Sequence, residues 1–406
     1  MVPLMPTPVL YTELNTSPLE HIPEEEQWNP RKVYYATIRE RESDLQTIHY
    51  SNQPSERVSV GLALIGFGGD HMTWSDLQEA SRQEEREESV DLSIAGILEA
   101  GSFHPADPAG TQSGPLYWLT NDLNLSISGS RDPDLLIYVH GAKVNFYNAC
   151  AFAAQLDHFL GRDMTSMAFS WPTRQNIIAY ASGSDVKRAY NAAESFATIL
   201  ELLAEQTEAR RIHIVAWSAG SRVVTSAVSL LRNRHPDLSA RELEQTFRIG
   251  TLYFAASEIP RDEFIRSLPD LDDLARRIVV TVSSHDSALK QAKRFMGGDI
   301  RLGQLGGPLS KEEQHRILNT ESLEIIDLSL AGEDRGFDIT GHRYWFDHSW
   351  ASTDLILSLR TDLNPLERGL LETEYPVLWG IPSDYPERLN RIPREMLQYR
   401  DQDGPP

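Results

Sequence analysis

Along this chain, short runs of consecutive apolar residues alternate with longer stretches where apolar positions recur every three or four residues. Val33 to Ile38 and Val58 to Ile65 read as strands, rich in branched and aromatic side chains. From Asp134 the alternation sharpens. Leu135 to Val139 is continuously apolar, and the next stretch is apolar at 146, 149, 150, 152, 153, 156, 159 and 160, the period of a helix. Ser166 to Phe169 predicts a second short strand, closed by Trp171-Pro172, and Ala189 to Leu203 a helix. Ile212 to Ala216 then reads as strand and Arg222 to Leu231 as helix, with further strands at Leu252–Ala255, Ile278–Val282 and Leu323–Leu328. A last amphipathic helix ends at Leu359.

Short apolar strands separated by amphipathic helices imply a mostly parallel sheet covered on both faces, an α/β fold. Such a sheet binds its ligand beyond the carboxyl ends of its strands. The predicted domain runs from residue 31 to 360. Residues 1–30, proline-rich and acidic, are expected to form an extended arm. Residues 361–406 form a proline-rich C-terminal extension with apolar anchors at Leu370, Leu371, Tyr375 and Trp379, expected to wrap the domain surface. The charged stretch Gln78–Glu88 reads as a solvated helix face or loop, and no internal repeat is present.

The strongest chemical signal is Ile212-His213-Ile214-Val215-Ala216-Trp217-Ser218-Ala219-Gly220, a strand running through a sharp turn into a helix. A serine at such a turn adopts a strained backbone that exposes its hydroxyl above the sheet, and the residues two before and two after it must be small. Ala216 and Gly220 satisfy that requirement, which marks Ser218 as a candidate nucleophile. A small-x-Ser-x-small match alone arises often by chance; the strand before and helix after remove most such matches.

An attacking serine needs donors for the developing oxyanion. Ala219 N–H opens the following helix, and Ala142 N–H lies in Val139-His140-Gly141-Ala142-Lys143, the loop after another buried strand. His140 reads as a packing residue that orders this loop. The serine also needs a histidine base and an orienting carboxylate, in the chain order serine, acid, histidine. Asp286 follows the strand ending at Val282, and Glu258, after the strand ending at Ala255, is the rival acid. His342, on a loop after the last strand, is the candidate base; His348 competes but reads as a capping or surface residue. His285 adjoins Asp286 and so cannot readily share its face.

Composition changes little of this picture but removes alternatives. Net charge is −21, with 59 acidic against 38 basic residues, which opposes nucleic-acid binding. The single cysteine, Cys150, permits no intrachain disulfide and reads as a buried thiol. No His, Cys and acid cluster has metal-ligand spacing, and no glycine-rich phosphate loop appears, so no cofactor or metal is expected. The N-terminus lacks a basic, apolar leader and no apolar run is long enough to span a bilayer; a cytoplasmic protein acting on a small ester or acyl substrate, without stable membrane insertion, is the expectation.

Taken together, these segments resemble a bacterial family of α/β hydrolases of unknown function, described as esterase- or lipase-like. Val33-Tyr34-Tyr35-Ala36-Thr37 looks like its opening strand. Tyr138-Val139-His140-Gly141 resembles its oxyanion strand, and Phe169-Ser170-Trp171-Pro172 the segment after the next one. The elbow is similar to the family's Ala-His-Ser-Met-Gly, with Trp217 and Ala219 as departures. His285-Asp286-Ser287-Ala288-Leu289 and Gly341-His342-Arg343-Tyr344 resemble its acid and histidine segments. The likeness spans roughly residues 33 to 360. It implies an α/β-hydrolase fold and a Ser218–Asp286–His342 triad without a cofactor. Trp217 is expected to add bulk beside the nucleophile and narrow the pocket. Two other functions share these features: a catalytically silent member used for binding or assembly, and an amidase or thioesterase with the same triad.

Overall fold

The computed structural model describes residues 2–42, 48–69, 71–106, 115–174, 183–283, 302, 309–329 and 347–393. Its elements in chain order are β1 (Val2–Pro3), α1 (Val9–Glu13), β2 (Arg31–Arg41), β3 (Tyr50–Phe67), α2 (Trp74–Ala80), β4 (Asp91–Phe103) and α3 (Pro115–Ser128). β5 (Leu135–Val139), α4 (Phe146–Phe159), β6 (Thr165–Ser170), α5 (Ser184–Gln206), β7 (Ile212–Trp217) and α6 (Gly220–Arg234) follow. Then come α7 (Ala240–Phe247), β8 (Ile249–Ala255), α8 (Arg261–Leu274), β9 (Ala275–Val282), α9 (Lys311–Leu318), β10 (Leu323–Asp327), α10 (Ser349–Arg360), β11 (Leu371–Glu372), β12 (Leu378–Gly380) and α11 (Tyr385–Leu389).

Among the described residues, all strands join one sheet in the order β1-β4-β3-β2-β6-β5-β7-β8-β9-β10-β12-β11. Pairing is parallel from β2 through β12 and antiparallel at both edges. The central strands are buried on both faces, so they read as unbroken apolar runs. Alternate residues supply two cores. Leu136, Tyr138, Val215 and Tyr253 pack with α1, α4 and α10, while Leu135, Ile137, Ile214 and Phe254 pack with α3, α5, α6 and α8.

Two terminal segments differ from expectation. Residues 2–22 are a packed layer, with Leu4, Met5, Val9, Leu10, Tyr11 and Leu19 buried. The prolines interrupt regular structure, yet these apolar side chains have a core to enter. Leu10 N–H donates to Thr353 Oγ1 (3.1 Å) and Met5 N–H to Gln155 Oε1 (2.9 Å), satisfying amides that burial removes from water. The C-terminal extension contributes a strand: β12 adds in parallel to β10, pairing Ile326 with Trp379. Of its anchors Leu370 is buried, whereas Leu371 and Tyr375 are exposed.

Arg368, wholly buried, holds the extension in place. It donates to Asp354 (2.8 Å) and Glu324 (2.8 Å) as well as to Leu363 O (3.1 Å). Cys150 is buried on α4, and burial pushes its thiol up to about 12. No helix among the described residues is long and apolar enough to cross a membrane.

Candidate active site

The carboxyl ends of β5, β6, β7 and β8 meet around Ser218. Its backbone sits in the left-handed region (φ 52°), a conformation that costs a non-glycine residue on the order of 1–3 kcal/mol. The surroundings hold it there from both sides. Ser218 N–H donates to Ala255 O on β8 (3.0 Å). Its carbonyl accepts from Ser221 N–H (3.1 Å), from Glu258 N–H (3.2 Å) and from the Ser221 hydroxyl. This is the strained elbow the sequence predicts, at the named serine.

Two glycines allow the elbow to lie against its neighbours. A Cβ on Gly220 would stand 2.5 Å from Val139 O and 2.8 Å from His140 O, so α6 begins in contact with the end of β5. A Cβ on Gly141 would stand 2.9 Å from Ser218 Cβ, which places the loop after β5 against Ser218. Neither amide expected to bind the oxyanion, Ala142 or Ala219, has an acceptor among the described residues. Such unpaired donors suit an anion, the more so at a helix start.

The carbonyls of His140, Gly141 and Val144 in this loop are engaged from behind. Trp171 donates its indole N–H to His140 O (2.7 Å), and Thr173 Oγ1 donates to Val144 O (2.8 Å). His140 is fully buried, with Trp171 stacked on it at 5.3 Å and nearly parallel. Trp171 N–H donates to His140 Nε2 (3.1 Å), which leaves the proton on Nδ1 to donate to Gly141 O (2.7 Å). Burial and the nearby Arg39 draw the imidazole down to about 3, so it is neutral. His140 is therefore the packing residue expected. The Ser-Trp-Pro segment, whose purpose was not legible in the sequence, is the support of this loop.

Glu258, the rival acid, is buried and paired with Arg222. Arg222, on the first turn of α6, donates to both of its carboxylate oxygens (2.8 and 3.0 Å) and to its backbone carbonyl (3.1 Å). The same guanidinium donates to Tyr190 OH (2.6 Å), which donates to Glu263 (2.7 Å). This ion pair ties the helix after Ser218 to the segment whose amide holds the Ser218 carbonyl.

Asp286, His285 and His342 lie outside the described residues; β9 ends at Val282 and the described stretch at Ser283, three residues short of Asp286. His348, the competing histidine, is the N-cap of α10, its Nδ1 accepting from Trp350 N–H (3.2 Å). Trp217 packs edge-on against Phe152 at 5.9 Å and is 8% exposed. No cluster that could hold a metal occurs among the described residues.

A family model described as "Alpha/beta hydrolase of unknown function (DUF900)" matches residues 118–354, more than half of the chain. No curated protein matches it. Among solved structures, the chain is similar to one described as a "putative cell surface hydrolase" from Lactobacillus plantarum, at 12% identity and a TM-score of 0.25, covering 46% of this chain and 89% of that one.

Proposed function

Because the chain belongs to the alpha/beta hydrolase family of unknown function, and has its fold, we propose that it is a serine hydrolase that cleaves a carboxylic ester through an acyl-enzyme. The observation that carries this reading is Ser218 itself: a buried serine in a left-handed conformation, pinned by four backbone-directed bonds and flanked by two amides without acceptors among the described residues. Strain of this kind persists only where surrounding structure enforces it, and it clusters at functional sites.

In the proposed reaction His342 removes the Ser218 hydroxyl proton as Oγ bonds to the ester carbonyl carbon. Asp286 orients the imidazole and stabilises its charged form. The carbonyl oxygen becomes an oxyanion held by the Ala142 and Ala219 amides. Collapse breaks the bond to the alcohol, which leaves with the proton from His342. Water, deprotonated by the same histidine, then attacks the acyl carbon and releases the acid and Ser218. Asp286 is preferred to Glu258 on its place after the end of a strand, where such a sheet gathers its site.

Incubation with a fluorophosphonate probe tests the proposal. Folded protein is expected to be labelled at Ser218 and to hydrolyse short-chain p-nitrophenyl esters, with Ser218→Ala abolishing both at unchanged thermal stability. Folded protein that takes up no label and turns over no ester would instead be a catalytically silent member of the family. Turnover of amide or thioester analogues alone would reassign the substrate and keep the mechanism.

A further inference from the structure

One fully buried charge beside the site is unexplained by the elbow. Arg39, at the end of β2, is 1% exposed. Its guanidinium donates from Nε to Ser170 Oγ (2.8 Å), from Nη1 to Asn52 Oδ1 (2.7 Å) and Ser51 O (3.4 Å), and from Nη2 to Val144 O (2.6 Å). Nη2 also faces His140 Nε2 at 3.4 Å. These partners are a hydroxyl, an amide oxygen, two carbonyls and an imidazole, with no carboxylate among them. Burying a cation with no carboxylate in contact, the buried Asp185 acting on it only at longer range, is costly, and a leucine or methionine would fill the space at less expense. What the charge touches shows its use: both ends of the oxyanion loop, His140 and Val144.

We propose that Arg39 is a positioning residue that sets the peptide plane presenting the Ala142 amide to the oxyanion. With the guanidinium and the Trp171 amide both on its Nε2 side, His140 carries its proton on Nδ1 and gives it to Gly141 O. The Gly141 carbonyl and the Ala142 N–H belong to one trans peptide and point in opposite directions. Fixing the carbonyl toward His140 therefore turns the amide away from it. Arg39 and Thr173 bind the Val144 carbonyl and close the other end of the loop. The positive charge additionally favours the negative charge that forms as the serine attacks, in an interior where fields are weakly screened.

This assignment rests on the acyl-transfer reading, and the test separates the two. Arg39→Met, Arg39→Lys and Thr173→Val would be compared by fluorophosphonate labelling rate, by kcat and KM on a short-chain ester, and by ¹⁵N NMR of the His140 ring. Arg39→Met is expected to lower kcat and labelling about a hundredfold, with KM within about twofold and a shifted His140 Nε2 resonance, the tautomer itself being held by Trp171. Arg39→Lys restores part of the rate, and Thr173→Val, which removes a neutral bond to the same carbonyl, has the smaller effect. Unchanged rates and an unchanged His140 Nε2 resonance in Arg39→Met would overturn the assignment; should that variant not fold, the same result in Arg39→Lys would do so. Wild-type protein that takes no label would defeat the acyl-transfer reading, while the His140 ring-nitrogen shifts judge the Arg39–His140–Gly141 coupling in either case.

Discussion

Replacing Gly220 by alanine is the most direct probe of the seam on which the site is built. The added Cβ would lie 2.5 Å from Val139 O and 2.8 Å from His140 O, both backbone atoms that cannot swing aside. Ordinary contact begins near 3.4 Å, so the start of α6 and the end of β5 must part by about 0.9 Å. Alanine is the better helix former, by at most about 1 kcal/mol, whereas overpacking costs about 1–3 kcal/mol. The clash therefore wins, and modest destabilisation is expected. The larger consequence is catalytic, because the two amides proposed to hold the oxyanion lie on opposite sides of this seam. A displacement near 1 Å at a reacting centre costs on the order of a hundredfold in rate. Labelling kinetics and thermal unfolding should show acylation lowered by that factor while unfolding shifts by only a few degrees. A Gly220→Ala protein that labels at the wild-type rate would refute the seam as the organiser of the site.

Arg222→Met leaves the buried Glu258 carboxylate without its bidentate partner and should cost about 3–5 kcal/mol in denaturant unfolding, with Arg222→Met/Glu258→Met recovering much of the loss; equal stability of the single and double variants would contradict this. His140 supplies a pH dependence. Its folded pKa, about 3, lies below its unfolded value of 6.5, so the unfolded chain binds a proton that the folded one refuses between those limits. The stability its neutral burial confers is intact above pH 6.5 and declines as pH falls toward 3. The advantage of wild type over His140→Asn should shrink by about 2 kcal/mol between pH 6.5 and 5 in urea unfolding. A constant difference would show that His140 titrates alike in both states.

Much of the central sheet was legible because its physics is local. Leu135–Val139 is a strand with the expected limits, and β7 extends the expected Ile212–Ala216 by a single residue. Short, largely apolar segments rich in branched residues suit a strand buried on both faces of a sheet. Strand β4 was not anticipated, since Gly96, Gly101, Ser93 and Glu99 dilute its alternation; it is held by register with β3, a long-range property. Residues 2–22 read as an arm because prolines and glutamates dominate locally, while their apolar side chains answer to α4 and α10, far off in sequence. At the site, Ser218 and its small neighbours announce themselves through local sterics. Arg39 reads only as the charged end of a strand, and its meaning depends on His140, Val144 and Ser170 arriving from elsewhere.

The bond from Leu10 to Thr353 joins residues 343 apart. At ribosomal speeds of about 5–20 residues per second, the N-terminal layer waits some tens of seconds before its partner helix exists. Throughout that interval the buried side chains of residues 4–19 have only part of their eventual cover, and β1 has β4 but not α10. Synthesis therefore exposes a greasy leading segment to whatever else is nearby, and the nascent protein should depend on holdase chaperones more than the finished one does.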